Sequence, residues 1–565
     1  MAISKLCSLG LILFVALIPL QAQRVSAEIL LSQQHQPDNP TPQHIGDDTI
    51  QQQKAIQWVN EIADDISAIR YINQLSQLYH NLGYTPLWQD GLLANEFENQ
   101  LKLLALANVS VDFTRRYSLL QHLKRSNDWR QYDLLATDSL LAYMSYVENM
   151  QEYGRGWLFG AGVELGLPLP SAMAISQLVS AIETERLRYF VSRLKPVDSR
   201  YKQIIIAIND LEHSAASLYW PRFYQPGMIR YGAKLDNAES LIAILENLGD
   251  LPSYQADLLR EQLTQVYTLE LVEAVKSFQQ RHGLKVDGVI GPKTRFWLSM
   301  TPKERIRVLA LNAQRLRLWP VEHPSVLIVN IPDYGLSLWL DNEHVLNSKV
   351  IVGRPSRRTP LMISSIASVV FNPYWNVPIS IMRKDILPKA QYDRGYLYRN
   401  DFAVIRSWTS SEQIPIHTID WRIVNSKLFP YRLRQKPGKK NALGRFKFNI
   451  PNDNAIYLHD TPAKKLFDKE TRAFSSGCVR VEHADELAMI LLNYSGVPEQ
   501  RVNELKARRN TKTVGLSNQV KVHVIYQTAW VDGQGQIHFR DDVYRYDQFG
   551  KMSQKEEKLT KIFSE

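Results

Sequence analysis

The sequence predicts an α+β protein of several domains, in which an α-helical scaffold and a small helical unit precede a mainly β domain with a long insertion. Three observations predict this. The 565 residues exceed the roughly 250–300 at which a single hydrophobic core stops growing. Apolar residues recur at helical spacing between Ala55 and Ile229, and from Ser325 the pattern changes to short alternating runs. An apolar content of 45% is ordinary for globular protein.

Residues 1–27 begin Met1-Ala2-Ile3-Ser4-Lys5, continue through an apolar stretch from Leu6 to Leu20 and end Val25-Ser26-Ala27. That is the pattern of an export signal cleaved after Ala27, and the apolar run is shorter than the roughly 20 residues a membrane span needs. A retained N-terminal anchor is the alternative. The expected location is the periplasm. Residues 28–46, rich in Gln, Pro, Asp and Thr, read as a disordered tether.

A helical scaffold is expected over 47–234. Ile56, Val59, Ile62, Ile66 and Ile69 recur at three- and four-residue steps, and Gly83, Pro86 and Pro168-Leu169-Pro170 punctuate the helices. Tyr84, Trp88, Trp220 and Tyr224 suit either core packing or the wall of a glycan groove. Over 235–305, Phe278-Gln279-Gln280-Arg281-His282-Gly283-Leu284 is followed by Asp287-Gly288-Val289-Ile290-Gly291-Pro292. The spacing predicts a helix stopped by Gly283, a tight turn at Asp287-Gly288 and a helix opened by Pro292. This stretch resembles the peptidoglycan-binding domain found beside wall hydrolases and transpeptidases.

The β domain is expected over 306–510. Its strands are Val326–Asn330, Leu336–Leu340, Val350–Val352, Ser368–Phe371 and Ala455–Leu458. Residues 379–434 break the strand rhythm and read as a lid-like insertion, or as a tolerated surface loop. Over 511–565, Val520–Val531 turning at Asp532-Gly533 into Gln536–Phe539 predicts a hairpin extension packing on the β domain.

The two cysteines are Cys7, in the signal segment, and Cys478. An exported chain with one remaining thiol forms no internal disulfide, so Cys478 is a buried small side chain, an intermolecular linker or a reactive group. The formal charge of +10 favours anionic partners such as wall polymers and phospholipid head groups. The export signal argues against nucleic acid.

Chemistry concentrates in Tyr457-Leu458-His459-Asp460-Thr461-Pro462 and Ser475-Ser476-Gly477-Cys478-Val479-Arg480, with the His and Cys 19 positions apart. A thiol attacks as thiolate and an imidazole takes its proton, so Cys478 and His459 form the smallest acyl-transfer pair. Gly477 allows close backbone approach to a carbonyl, and Ser476, Asp460 and Tyr457 complete the expected oxyanion and substrate contacts. Arg480 lowers the thiol pKa, holds a substrate carboxylate or forms a structural ion pair. His483 is a rival base, placed at the start of a helix that would bring its N-terminal polarity near the thiol.

At these residues the chain resembles the L,D-transpeptidases, whose signature sets a His on a strand ahead of an S-x-G-C-x-R loop. Asp460 stands where many members carry Gly, and the large periplasmic branch shares His459-Asp460-Thr461-Pro462. The resemblance extends to Gly353-Arg354-Pro355, Thr359-Pro360, Gln435-Lys436-Pro437-Gly438 and Asn441-Ala442-Leu443-Gly444. It implies a thioester on Cys478 formed from a wall stem tetrapeptide with loss of D-Ala, and His459 as base and then acid, its ring oriented by a backbone carbonyl. An acceptor amine from another stem would resolve the thioester into a crosslink between third-position residues. It also implies stem tetrapeptides and glycan as partners, other wall-synthesis enzymes as neighbours, carbapenems as covalent inhibitors and no cofactor or metal. No cluster at zinc-ligand spacing is seen in the sequence. The competing readings are an L,D-carboxypeptidase using the same site and a noncatalytic wall-binding scaffold. A papain-like protease fits less well, because its Cys precedes its His.

Overall fold

The computed structural model describes residues 42–63, 69–163, 166–319, 323–410 and 412–548. The expected signal segment and most of the expected tether lie outside them. Residues 42–46 do not follow the tether expectation, since the backbone is helical from Pro42 to Ala63. Proline is tolerated at a helix start because the N–H it lacks would have no acceptor there. Among the described residues no helix is long and apolar enough to cross a membrane.

The chain divides into two compact units, the first made of residues up to Asn95 with Leu123–Ser145 and Pro168–Ser192. Two acids organise it. The Asp133 carboxylate accepts from the Leu87 and Trp88 amides at 2.8 and 2.7 Å and from the Tyr79 hydroxyl. Asp138 accepts from the Tyr71 amide at 2.7 Å at the start of the helix Ile72–Asn81, where no local side chain caps it. Trp88 is buried here, with its indole N–H on Thr137 at 2.9 Å, so it serves the core. In the second unit Tyr224 is exposed.

The second unit holds Glu96–His122, Tyr146–Leu167 and everything from Arg193. Its small helical module runs through Ala238–Asn247, Ser253–Glu261, Leu269–Arg281 and Pro292–Leu298. Gln279 explains the local motif: its side-chain oxygen accepts from the Asp287 and Gly288 amides at 3.0 and 2.8 Å and its amide donates to Val289 at 3.0 Å. The turn is thereby pinned to the helix. The end of the same motif is an internal joint. Arg281 pairs with Asp250 and donates to the Ile537 carbonyl at 2.7 Å, while Arg540 donates to the Arg281 carbonyl at 2.8 Å.

The helix Pro302–Arg315 follows, opened by a capping box of Thr301 and Glu304. Its fully buried Arg315 pairs with Asp547 at 2.8 Å and donates to the carbonyls of Leu158 and Tyr546 at 3.1 and 2.9 Å.

The β domain is built from β1 (Val326–Asn330), β2 (Gly335–Leu340), β3 (Glu343–Gly353), β4 (Met362–Phe371), β5 (Trp375–Asn376), β6 (Phe402–Ile405), β7 (Gln413–Ile414), β8 (Arg432–Gln435), β9 (Phe446–Asn449), β10 (Leu458–His459), β11 (Ala473–Ser475), β12 (Val479–Val481) and β13 (Lys512–Ile525). Nine strands form one sheet in the order β11-β3-β12-β10-β9-β4-β13-β1-β2, and β2 also pairs with β3, so the order closes on itself. Eight strands close in this way, which removes their edges, and β11 attaches to β3 outside the ring.

Two expectations are corrected here. Residues 512–525 are not part of a peripheral hairpin: β13 lies inside the main sheet, antiparallel to β4 and parallel to β1. Its Val520, Val522 and Val524 are buried, and that apolar alternation is satisfied only by a covered sheet face. The hairpin comes afterwards, as β14 (Ala529–Val531) and β15 (Ile537–Phe539). The insertion is likewise more than a loop. Between β5 and β8 it carries a second sheet, β5-β8-β6-β7, and its own core, including Met382, Leu387, Leu397, Trp421 and Leu433.

Replacing Arg315 with Met would leave the Asp547 carboxylate buried and unmatched. The expected cost is about 3–5 kcal/mol, read as a lower urea midpoint, and an unchanged midpoint would contradict the network described.

Candidate active site

Strand register assembles the site. β10 runs parallel to β12 with Leu458 opposite Val479 and His459 opposite Arg480, and antiparallel to β9 with His459 opposite Lys447. The Val479 amide donates to the Tyr457 carbonyl at 3.2 Å, which sets Tyr457 beside Cys478. Side chains two apart on a strand share a face, as do cross-strand partners. Tyr457, His459, Cys478, Arg480 and Lys447 therefore project to the same face. With strands about 4.8 Å apart and a two-residue offset, the Cα atoms of His459 and Cys478 are roughly 8 Å apart.

His459 is buried, and its Nδ1 lies 2.5 Å from the Asp460 carbonyl oxygen. A carbonyl only accepts, so Nδ1 carries the hydrogen and Nε2 keeps its lone pair. Burial, then the neighbouring Arg480 charge and that of Lys447, hold the imidazole at about 3, against the opposing effect of the Asp460 carbonyl. At neutral pH the ring is uncharged and able to accept a proton.

Cys478 is half-buried, with its sulfur 4.0 Å from the Ala455 carbonyl. Burial pushes the thiol above its ordinary value, while hydrogen bonds from Tyr457 and the charges of Lys447 and Arg480 pull the other way. The resting pair is thus neutral thiol and neutral imidazole, with no direct hydrogen bond between them. Catalytic contacts commonly tighten only when substrate is bound.

The loop before the thiol is held from beneath. The Ser475 hydroxyl donates to the Cys478 carbonyl at 2.5 Å and accepts from the Gly477 amide at 3.1 Å. Thr359 donates to the Gly477 carbonyl at 2.8 Å and accepts from the Gly353 amide at 2.8 Å, and the Tyr544 hydroxyl donates to the Gly353 carbonyl at 2.7 Å. Gly477 has φ of +122°, a conformation closed to side chains with a Cβ. Ala455, facing the sulfur, has φ of +53°, held by Asn452, whose side chain accepts from the Ile456 amide at 3.0 Å and donates to the Ile456 carbonyl at 2.7 Å.

Several expected roles change. The Gly477 amide is taken by Ser475, so Gly477 serves through its backbone shape. The Ser476 hydroxyl accepts from Arg357 at 2.9 Å, and Arg357 also pairs with Asp385 of the insertion. The Asp460 carboxylate turns away from the thiol, accepting from the Arg445 amide at 2.8 Å and pairing with Lys464 at 2.8 Å. It fills the space a Cβ on Gly444 would need. Arg480 forms no ion pair among the described residues, and its Nε is buried without a partner. His483 stands exposed between Glu482 and Glu486, 3.4 Å from each, and β12 separates the thiol from the helix Ala484–Tyr494. Neither that histidine nor the helix terminus reaches the sulfur.

Lys447 escaped the sequence reading. Its ammonium lies 4.4 Å from the centre of the Tyr457 ring, and burial lowers its pKa while Cys478 raises it. Burial raises the Tyr457 pKa, and Trp375, at the base of the insertion, is near enough to the hydroxyl to oppose that rise.

Comparison with known proteins is consistent across the chain. Residues 324–507 match the family described as L,D-transpeptidase catalytic domain, residues 73–207 a scaffold domain, and residues 239–298 a family described as "Putative peptidoglycan binding domain". A Haemophilus influenzae protein named "Putative L,D-transpeptidase" is 30% identical over 473 residues, covering 84% of this chain and 78% of its own. The crystal structure of an L,D-transpeptidase (Yku) from Stackebrandtia nassauensis is 14% identical, covering 54% of this chain and 97% of that one, with a TM-score of 0.20.

Two measurements follow from the site's protonation. Alkylation of Cys478 by iodoacetamide, followed by mass spectrometry, should rise with an apparent pKa above the roughly 8.5 of a free thiol. A plateau at neutral pH would mean a resting ion pair instead. Second, the folded His459 pKa lies below its unfolded value, so the unfolded chain binds the extra proton and stability falls as pH drops from about 6.5 toward 3. His459→Gln should flatten that acid limb in urea titrations, and an unaltered limb would contradict the assignment.

Proposed function

The chain belongs to the L,D-transpeptidase family, and on that premise we propose that it crosslinks peptidoglycan stem peptides through a thioester on Cys478. The observation that carries the reading is the common sheet face of Cys478 and a neutral His459 whose free nitrogen is fixed by the Asp460 carbonyl.

His459 Nε2 takes the thiol proton as sulfur attacks the carbonyl joining the third residue of a stem tetrapeptide to its terminal D-Ala. The oxyanion of the tetrahedral intermediate falls to the Cys478 amide and the Tyr457 hydroxyl, since the Gly477 amide is occupied. The protonated imidazole then gives its proton to the departing D-Ala amine, leaving the thioester and a neutral ring. A side-chain amine of another stem attacks the thioester, its proton passes to His459, and the thiolate recovers a proton as the crosslink leaves. Water in place of the amine gives carboxypeptidase activity at the same site.

Export through residues 1–27, action in the periplasm, a lid role for the insertion and acylation by carbapenems belong to the same proposal. The link from Asp385 through Arg357 to Ser476 supports a coupling of the insertion to the nucleophile loop.

The test incubates purified protein and its Cys478→Ala form with tetrapeptide muropeptides and reads products by mass spectrometry. Dimers that have lost D-Ala, absent with Cys478→Ala, are expected. Tripeptide monomers alone would favour the carboxypeptidase, and wall binding without either product would favour the noncatalytic scaffold.

A further inference from the structure

We propose that Lys447 and Arg480 form a carboxylate cradle beside the thiol, which receives the free C-terminal carboxylate one residue beyond the attacked carbonyl of the donor peptide. This rests on the transpeptidase reading and adds the feature of the donor that the site selects.

Both cations share the sheet face of Cys478. Arg480 stands two residues along β12 from it, and Lys447 stands opposite His459 on β9. The lysine leans over the Tyr457 ring at 4.4 Å, and strand register sets Tyr457 beside Cys478. Both positive charges therefore share the thiol's face of the sheet and act on it.

Neither charge is matched. Among the described residues no Asp or Glu pairs with Lys447 or Arg480, and Arg480 Nε is buried without a hydrogen-bond partner. Arg281 and Arg315, buried elsewhere, are matched by Asp250 and Asp547, and Arg305, which has no acid among the described residues, is instead bonded to the carbonyls of Met300 and Trp297. Two acids of the surrounding segments are committed elsewhere: Asp460 to Lys464, and Asp385 to Arg354 and Arg357. An unmatched pair of partly buried cations is unfavourable until a counter-charge arrives. Here the counter-charge must arrive with the ligand.

A terminal carboxylate on the leaving residue lies three bonds from the attacked carbon. A donor longer by one residue would carry its carboxylate six bonds away, and an amidated donor would carry none. The cradle thus reads both the charge and the length of the donor, while His459 and Cys478 perform the transfer. Arginine suits such a role through its planar fork, and lysine as a compact point charge.

The experiment compares kcat/KM for release of the leaving group (D-Ala from a tetrapeptide donor, D-alaninamide from its C-terminal amide, a dipeptide from a donor one residue longer) using the wild-type protein, Lys447→Gln and Lys447→Arg. Wild-type protein should favour the free acid by about 30-fold or more over the amide, the scale of losing a hydrogen-bonded charge partner. Lys447→Gln should lose about 10- to 100-fold on the acid, mainly through KM, and change the amide by less than about 3-fold. Lys447→Arg should recover most of the loss. Equal use of acid and amide by the wild-type protein would overturn the cradle while leaving the transpeptidase reading intact, and this comparison does not depend on any variant folding. Equal losses on acid and amide in Lys447→Gln, with an unchanged melting temperature, would also overturn it, assigning the lysine to the thiol instead. No turnover of any donor by the wild-type protein would bring down the transpeptidase reading and the cradle with it.

Discussion

The pairing of β10 with β12 is the constraint on which the site depends. Only two residue pairs define it, Leu458 with Val479 and His459 with Arg480, yet they decide which face every reactive side chain occupies. Slipping the register by one residue would send either the imidazole or the thiol to the opposite face. The surroundings guard against this. Leu458 and Val479 are fully buried on the other face, so a slip would also exchange apolar core for polar side chains. The same alternation that buries the core thus aligns the chemistry.

A second layer of order comes from small polar groups under the nucleophile loop. Thr359, Ser475 and Tyr544 are buried, and each spends its hydroxyl on loop backbone or on a neighbour that does. Buried hydroxyls of this kind are favourable only when fully satisfied, so the arrangement tolerates little displacement. Tyr544 also draws the C-terminal segment into the support of the site, about 66 positions beyond the thiol in sequence.

Much of this was legible from residue types. Cys478, His459 and Gly477 announce themselves because few arrangements other than acyl transfer place a thiol, an imidazole and a glycine so near one another in sequence. The change from helical to alternating pattern marked the β domain for the same reason, since periodicity is local. What escaped was non-local. Lys447 reaches the site through strand pairing, and no feature of Phe446-Lys447-Phe448 separates it from an ordinary exposed lysine on a strand. The carboxylate of Asp460 invited a chemical role by lying next to His459, but the open space beside Gly444 draws it to the loop backbone instead. β13 looked peripheral because its partners, β4 and β1, lie more than a hundred residues earlier.

The insertion enters and leaves the catalytic domain side by side, because Trp375 and Asn376 pair with Gln435 and Arg434. Seen from the main sheet, the whole segment between those strands is topologically equivalent to a hairpin turn. Its apolar residues are satisfied by one another, so its length and surface are free to diverge without repacking the sheet beneath. Relatives could therefore exchange, shorten or elaborate this segment as an evolutionary cassette, subject mainly to keeping the paired stem and the few residues, Asp385 among them, that hold the arginines beside the nucleophile loop.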